Sequence, residues 1–473
     1  MLFNSFAFIF AFLPTSFFIY FYLNGKKLIK LSRWFLLFSS LFFYSWWNYM
    51  YLPLILVSIL VNYFVSNLLI DYQTSRNILP SKRAILYIGL AFNIGILAYF
   101  KYADFFINNA NYLFTNSYEL LNLALPLAIS FFTLQQIAYL IDTYEGLVRE
   151  RNLLDYSLFV TFFPQLIAGP IVHHREMMPQ FYDLKNKVFS RNNVRKGLFI
   201  FNIGLFKKVV IADTLSIWAI NGFDTSTTLS FFEAWGSSLA YTFQLYFDFS
   251  GYTDMAIGAA LLFNIKLPAN FNSPYKATGI IDFWQRWHIT LTSFITIYIY
   301  TPIIRSFSKA NFNKAMLATV ITFLIAGLWH GASWMFVIFG GLHGLGLVMN
   351  HYWRKKKIKL NSVFSWFITF NFINIAFIFF RSKDLDTALM MIRGMTELGY
   401  LGVFDIINYS YVVLSFLIVL LMENTIKLSS IIDFKKINTK VLMFSLVLFS
   451  FSILQINAFS ISGSNLEFLY FNF

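Results

Sequence analysis

The sequence predicts an all-α, polytopic integral membrane protein with about twelve transmembrane helices, in a single membrane-embedded domain over residues 1–473. Three observations predict this fold class. The chain is 58% hydrophobic and 12% charged, whereas soluble domains carry about 25% charged residues. Apolar runs of about 20 residues, the length that crosses a bilayer, recur from end to end. Lysine and arginine cluster in the short segments between those runs, as the positive-inside rule requires.

The first apolar run, residues 2–23, follows no charged segment and precedes no convincing small-residue cleavage site. We therefore interpret it as a retained helix and not as a removed signal peptide. Further runs of similar length follow, and each is predicted to cross the membrane once. The predicted crossings are residues 2–23, 33–48, 50–70, 84–107, 119–141, 197–220, 231–263, 315–329, 332–349, 364–380, 407–421 and 441–459.

The basic segments determine the predicted orientation. Residues 24–33, 71–83, 185–196 and 354–359 are rich in lysine or arginine and are predicted to be cytoplasmic, whereas residues 108–117 contain neither. Both termini are therefore predicted to be extracytoplasmic. Because these loops also account for the formal net charge of +14, nucleic-acid binding is not predicted.

Two apolar segments are predicted to be re-entrant, because basic residues lie beside both of their ends. Residues 153–172 are interrupted by Pro164 and Pro170, and residues 281–303 form the second segment. Irregular backbone at membrane depth needs protein or a water-filled cavity around it. Residues 384–398 carry apolar side chains on one helical face and are predicted to form a helix in the membrane interface.

His330 is the first candidate for chemistry, since it lies alone between the apolar runs 315–329 and 332–349. Ionisable side chains at membrane depth are energetically expensive and commonly functional. The alternative is a structural histidine that links two helices. The absence of cysteine excludes thiolate catalysis, disulfides and iron–sulfur sites. Covalent chemistry therefore falls to histidine, serine, threonine, tyrosine or carboxylate side chains, and no metal site is predicted.

Further charged side chains fall within predicted membrane segments. Asp282 and Arg286 are four residues apart and can pair on one helical face, although an interfacial amphipathic helix is the alternative for this stretch. Asp248 interrupts the run 231–263, and lysines at 207 and 208 lie within the preceding run. Because unpaired charges there would be costly, we predict pairs across helices or a wet cavity, with a structural role.

Five motifs together resemble the membrane-bound O-acyltransferase family. They are residues 166–172 (LIAGPIV), 247–258 (FDFSGYTDMAIG), 283–291 (FWQRWHITL), 328–334 (LWHGASW) and 340–345 (GGLHGL). The resemblance runs from about residue 123 to the end. It is greatest to the bacterial polysaccharide O-acetyltransferases that act on alginate and peptidoglycan, and the D-alanyl transfer protein for teichoic acids is a relative. It implies helices and re-entrant segments around a central tunnel.

The resemblance also implies roles for particular residues. His330 corresponds to the histidine taken as the catalytic base, and His288 to the second histidine of the reaction chamber. The implied supporting or tunnel residues are Trp329, Gly331, Trp287, Gln244 and Asp248. The C-terminal end is similar to the aromatic tail of the acetylating branch, and its predicted partner contacts are Phe468, Tyr470 and Phe473.

The implied activity is transfer of an acetyl group from a cytoplasmic thioester, with acetyl-CoA as donor and no bound cofactor, for O-acetylation of an extracytoplasmic polysaccharide. Peptidoglycan is the preferred acceptor, and alginate or another exopolysaccharide and D-alanylation of teichoic acid are alternatives. Because the outer loops are small, we expect an extracytoplasmic SGNH-type acetyltransferase or esterase-like partner.

A transporter of lipid-linked sugars is the alternative from another functional class, since intramembrane charges and broken helices also occur in transporters. No matched halves of the kind typical of such transporters are found in the sequence. The predicted location is the bacterial inner (cytoplasmic) membrane.

Overall fold

Every regular element in the described part of the chain is helical. The computed structural model describes residues 1–74, 81–114, 117–167, 169–309, 311–436, 438–461 and 468–469, and no strand occurs among them. The apolar composition explains this, because a helix satisfies its own backbone hydrogen bonds where lipid offers none.

The α-helices of the described residues are α1 (Leu13–Gly25), α2 (Ile29–Ser45), α3 (Leu52–Thr74), α4 (Lys82–Leu97), α5 (Ala103–Phe114), α6 (Ile129–Tyr144), α7 (Leu153–Thr161), α8 (Phe163–Leu166), α9 (His174–Tyr182), α10 (Arg191–Phe206), α11 (Asp213–Ile220), α12 (Phe231–Leu262), α13 (Ile280–Trp284), α14 (Ile289–Ile295), α15 (Thr301–Ser306), α16 (Phe312–His330), α17 (Trp334–Lys355), α18 (Ser362–Arg381), α19 (Leu385–Thr396), α20 (Ile406–Leu421), α21 (Thr425–Ile431) and α22 (Thr439–Ile461). Short π-helical segments begin, join or end several of them, namely Ala7–Phe12, Ala98–Tyr102, Lys207–Ala212, Asn221–Thr225 and Thr296–Tyr300.

Six helical stretches within the described ranges are long and apolar enough to cross a membrane, and a seventh is obtained if α20 and α21, which meet at a 50° bend, form one span. The predicted all-α, polytopic membrane fold is confirmed. Each predicted crossing overlaps a helix. The crossings beyond these seven fall on helices that are short, as α2 is with 17 residues, that contain carboxylates, as α12 does, or that are less apolar, as α17 is with its two histidines.

Two predicted boundaries can be compared directly with the structure. The crossing predicted over residues 119–141 begins too early, because α6 starts at Ile129. Pro126 precedes that start, and a proline disfavours helical backbone at the residue before it. The helix predicted over residues 384–398 is confirmed as α19, and its location in the membrane interface stays a prediction. Asp384 caps α19 by accepting hydrogen bonds from the Thr387 N–H and hydroxyl. These bonds lower the pKa of Asp384.

Contacts divide the chain into two compact units. Unit 1 comprises residues 1–201, 255–268 and 434–439, and unit 2 comprises residues 202–254, 269–433 and 440–473. The single domain over residues 1–473 stays a prediction.

Unit 1 is joined by hydrogen bonds between buried polar side chains. Asn62 of α3 and Asn93 of α4 exchange amide hydrogen bonds of 2.6 and 3.1 Å. Gln136 of α6 donates to Ser58 at 2.8 Å and accepts from Tyr156 of α7 at 2.9 Å. Polar side chains of this kind join helices in a bilayer, where apolar contact alone has no preference for protein over lipid.

Unit 2 contains a closely packed helical hairpin made of α16 and α17. A Cβ atom on Gly340 would lie 2.3 Å from the Phe323 carbonyl oxygen, so the two backbones approach as closely as glycine permits. This hairpin fixes the end of α16, where His330 lies.

Candidate active site

His330 is the last residue of α16, and its side chain lies within a group of aromatic rings. The imidazole is 4% exposed, and its ring centroid lies 5.0 Å from Trp329 and 5.2 Å from Phe380. The chain leaves the helix through Gly331, where a Cβ atom would lie 2.0 Å from Cε2 of Phe336. Glycine is therefore needed at position 331 for the turn that holds His330 in place.

His288 lies in unit 2 with His330 and contacts the same tryptophan. It precedes α14 with a left-handed backbone (φ 42°) and is fully buried. Its ring centroid lies 4.7 Å from Phe249 and 6.5 Å from Trp329. A left-handed backbone is unusual for a residue other than glycine and is held only when its surroundings enforce it. Trp329 thus contacts both predicted catalytic histidines.

Asn270 fixes the tautomer of His288. Its Oδ1 accepts hydrogen bonds from the Thr290 N–H at 3.2 Å and hydroxyl at 2.9 Å, and lies 3.1 Å from His288 Nδ1. Because a backbone N–H can only donate, the Asn270 atom that faces it is the oxygen, and His288 Nδ1 must carry the proton. The lone pair of the neutral His288 ring therefore lies on Nε2. Sequence reasoning missed Asn270, since an asparagine in an irregular segment gives no periodic or motif signal.

His343 is another buried histidine, which was part of a family motif but was not predicted as a site residue. The Trp284 indole N–H donates to its Nδ1 at 3.1 Å, so the proton of the neutral ring lies on Nε2. Phe339 separates it from the active site, with its ring 4.5 Å from His343 and 6.0 Å from His330. We assign His343 to the support of α13 against α17.

Buried ion pairs join α12 to the preceding residues 207–213. Lys208 contacts Asp213 at 2.6 Å and Asp248 at 2.7 Å, and all three side chains are at most 7% exposed. Lys207 contacts Asp254 at 2.7 Å. The prediction that these charges pair is confirmed. Asp248 is therefore part of an ion-pair network.

Gln244 lies one helical turn before Asp248 and is also buried. Within the described ranges, its Oε1 accepts no hydrogen bond. The hydroxyl group of nearby Tyr241 makes no hydrogen bond there either. Buried polar atoms are normally paired with protein or water. A water molecule or a substrate atom would satisfy these two groups, and the role of Gln244 as a tunnel residue stays a prediction.

Trp287 lies behind the active site. Its ring packs against Phe271, Phe283 and Phe377 at 5.1, 5.4 and 5.3 Å. It supports the segment that contains His288 by aromatic packing, and no direct contact with His330 is observed among the described residues. No group of three or more His, Asp or Glu side chains in the part of the chain that the structure describes is arranged as a metal site.

The beginning of the C-terminal tail enters the interior of unit 2. Phe468 is 1% exposed and stacks on Tyr252 with centroids 4.3 Å apart. The Leu469 N–H donates to Asp248 Oδ2 at 3.1 Å. The predicted partner contact at Phe468 is therefore corrected to an internal anchor, because its ring has no surface left for a partner. The other two predicted contacts, Tyr470 and Phe473, lie outside the described residues.

Comparisons with known proteins identify the family of the chain. The sequence profile of the MBOAT, membrane-bound O-acyltransferase family, matches residues 147–391, which include both predicted catalytic histidines. A protein of Helicobacter pylori named peptidoglycan O-acetyltransferase is 51% identical over 433 residues, covering 84% of this chain and 80% of its own.

More distant relatives also match. A protein of Pseudomonas putida named probable alginate O-acetylase is 36% identical, covering 84% of this chain and 81% of its own. A teichoic acid D-alanyltransferase of Bacillus subtilis is 28% identical, covering 55% of this chain and 70% of its own. With its buried histidine pair and its membrane-spanning helices, the chain belongs to the membrane-bound O-acyltransferase family and is a multi-pass membrane O-acyltransferase.

Proposed function

We propose that this O-acyltransferase acts in the O-acetylation of peptidoglycan. The observation that carries the proposal is the 51% identity to a peptidoglycan O-acetyltransferase over most of both chains, together with two buried histidines that contact one tryptophan. Identity to the probable alginate O-acetylase is 36% over the same share of this chain, so peptidoglycan is the preferred acceptor.

The proposed donor is acetyl-CoA from the cytoplasm, used as a substrate with no resident cofactor. His330 takes the proton of the attacking hydroxyl as that oxygen bonds to the thioester carbonyl carbon, and the thiolate of CoA leaves. The aromatic rings around His330 exclude water, which would otherwise hydrolyse the thioester.

Orientation of the chain in the cytoplasmic membrane follows the positive-inside rule, with both termini extracytoplasmic.

His288 serves in this mechanism as a hydrogen-bond acceptor. Its Nδ1–H is directed to Asn270, so the neutral ring offers only the lone pair of Nε2 to a substrate. The sequence also allowed His288 to donate a hydrogen bond to the developing oxyanion. With Nδ1–H directed to Asn270, that role would require a protonated His288 ring in an apolar environment. Orientation of a substrate hydroxyl or amide N–H is the role that the Asn270 bond supports.

A separate extracytoplasmic SGNH-type protein is the proposed partner that passes the acetyl group to the glycan.

A strain that lacks the gene for this O-acyltransferase tests the whole assignment. Acetate released by mild alkali from purified cell wall should fall to background on deletion and return with the wild-type gene. Unchanged wall acetate, with loss of acetate from another envelope polymer, would refute the choice of peptidoglycan.

Replacing Asn270 with alanine should lower kcat for acetyl transfer by about 10–100-fold, by analogy with the loss of hydrogen bonds that orient other functional histidines. The reason is that His288 would no longer be held in the Nδ1–H tautomer. Initial rates with labelled acetyl-CoA, measured on purified protein in lipid nanodiscs, test this.

Two variants separate positioning from folding. Asn270→Asp should keep activity within about tenfold of wild type, because a carboxylate accepts the same hydrogen bonds. The matched control is Asn272→Ala. The Asn272 amide oxygen accepts a hydrogen bond from Asn424 and not from a histidine, so we expect the activity of this variant to be near wild type. Equal loss in Asn270→Ala and Asn270→Asp would contradict the assigned role.

A further inference from the structure

A cavity lies in unit 2 where α17 ends and α18 begins. It has a volume of about 410 Å³ and is bounded by the last turns of α17, the first turns of α18, the connection between them and the residues at the start of α13. The positive-inside rule assigns these helix ends to the cytoplasmic side, because the connection is rich in lysine. A cavity of this size is in the range of small-molecule sites, which occupy about 300–1,000 Å³.

The lining of this cavity changes from charged to apolar along the axis of α17. Arg354 lies at the outer end of the helix, and Lys359 follows in the connection to α18. About two turns deeper, the lining consists of Gly346 on α17 and Phe372 on α18. The stretch of α17 from Gly346 to Arg354 spans about 12 Å, less than half of the ~30 Å hydrocarbon core of a bilayer. The cavity therefore extends from the charged membrane surface into the apolar layer.

Aromatic rings close the inner end of the cavity. A Cβ atom on Gly346 would lie 2.8 Å from Cζ of Phe372, so this ring rests directly on the α17 backbone. Phe372 also packs edge-on against His343, with centroids 5.7 Å apart. Phe339 in turn separates His343 from His330. These rings lie between the cavity and the active site, which argues against entry of a donor thioester by this route.

The outer end of the cavity carries positive charge. Its lining contains no aspartate or glutamate, and among the described residues neither Arg354 nor Lys359 forms an ion pair with one. The carboxylate of Asp282 accepts from the Thr278 N–H at 3.3 Å but is already paired with Arg286 at 2.7 Å. Two cations thus face the cavity with no carboxylate in its lining to neutralise them.

Neutral side chains beside the two cations add hydrogen-bond donors. Asn350 Oδ1 accepts the Ile281 N–H at 3.1 Å, so the part of this side chain that a ligand can use is the NH2 group, which only donates. The hydroxyl of Ser365 also lines the cavity. Phosphate oxygens suit such a lining, because they carry negative charge and accept several hydrogen bonds.

We propose that this cavity binds an anionic glycerophospholipid of the cytoplasmic leaflet, with its phosphate at Arg354 and Lys359 and one acyl chain along the apolar wall that ends at Phe372. Basic pockets between transmembrane helices on the cytoplasmic side are suited to such headgroups. A zwitterionic lipid has the same phosphate together with an ammonium group, which the two cations repel. Because the lining comes from α13, α17 and α18, a bound lipid holds the segment that leads to His288 against the helix pair that positions His330.

This inference does not depend on which glycan is acetylated, and native mass spectrometry of the full-length protein in detergent tests it. The probes are dioleoyl-phosphatidylglycerol, which is anionic, and dioleoyl-phosphatidylcholine, which has the same chains and no net charge. We expect phosphatidylglycerol to bind at least about tenfold more tightly. Arg354→Gln and Lys359→Gln should each weaken its binding about fivefold, the effect of one basic residue on an anionic lipid. Both side chains are exposed, so the variants should fold normally.

Lys355→Gln is the matched control. It removes the same charge from a neighbouring position, but the Lys355 ammonium lies 4.2 Å from the Phe312 ring centroid and does not line the cavity. Its affinity for phosphatidylglycerol should therefore equal that of wild type. Ser365→Phe keeps every charge and fills the cavity, and it should weaken binding at least as much as Arg354→Gln does.

Thermal unfolding gives a second measurement. A ligand that binds only the folded state stabilises it, so phosphatidylglycerol should raise the unfolding midpoint of the wild-type protein. The rise should be absent in the double variant Arg354→Gln/Lys359→Gln and present in Lys355→Gln.

Three outcomes would overturn the inference. Equal binding of the two lipids would show that the cavity does not discriminate by charge. Equal losses in Lys355→Gln and Arg354→Gln would indicate attraction to the basic surface as a whole. Displacement of phosphatidylglycerol by CoA, with a raised KM for acetyl-CoA in Lys359→Gln, would assign the cations to the phosphates of the donor. Failure of the proposed function is a separate result, because lipid binding is measured without turnover and wall acetate is measured in cells.

Discussion

His330→Ala is expected to reduce acetyl transfer by about 10²–10⁴-fold, the usual contribution of a general base, with unchanged amounts of protein in the membrane. The imidazole lies 4% exposed among Trp329 and Phe380, so no bulk water can substitute for it as a proton acceptor. Single-turnover transfer of labelled acetyl from acetyl-CoA, with purified protein in nanodiscs, measures the effect directly.

The controls for this prediction address folding and specificity. His330→Gln keeps most of the side-chain volume and should be as inactive as alanine, because an amide is no base at neutral pH. His351→Ala removes another histidine of unit 2, one that is only partly buried, and should retain wild-type rates. Turnover above about a tenth of wild type in both His330 variants would remove this residue from the mechanism, since a lost base costs at least about 10²-fold.

Lys208→Met is expected to cost about 3–5 kcal/mol in the free energy of unfolding, the typical effect of breaking a buried ion pair. The substitution leaves Asp213 and Asp248 buried without their common cation, which contacts them at 2.6 and 2.7 Å. The measurement is the midpoint of thermal unfolding in detergent, together with the yield of monodisperse protein.

The matched control is Lys427→Met. Lys427 pairs with Glu423 at 2.7 Å, but the two side chains are 56% and 43% exposed. An exposed pair contributes little to stability because water screens it, so this variant should unfold close to wild type. Similar midpoints for Lys208→Met and Lys427→Met would show that the buried network does not stabilise the protein.

Composition and periodicity were sufficient for the membrane fold, because a bilayer constrains the chain more strongly than water does. Apolar runs of the required length must be helical there. The same constraint made the charged residues informative. Lys207 and Lys208 could not remain unpaired in an apolar run, and the structure pairs both with carboxylates. Ionisable character and motif resemblance are sufficient to single out His330 and His288.

The tertiary structure alone decided how the site is organised, because its contacts join residues far apart in the chain. Asn270 holds His288 from 18 residues away, and the tail reaches Asp248 across 221 residues. No sequence period encodes such pairs, which depend on how helices stack. For the same reason Phe468, which the sequence suggested as an outward contact, is buried against Tyr252. The sequence determined which side chains must avoid lipid, and only the packing of helices determined which partners they found.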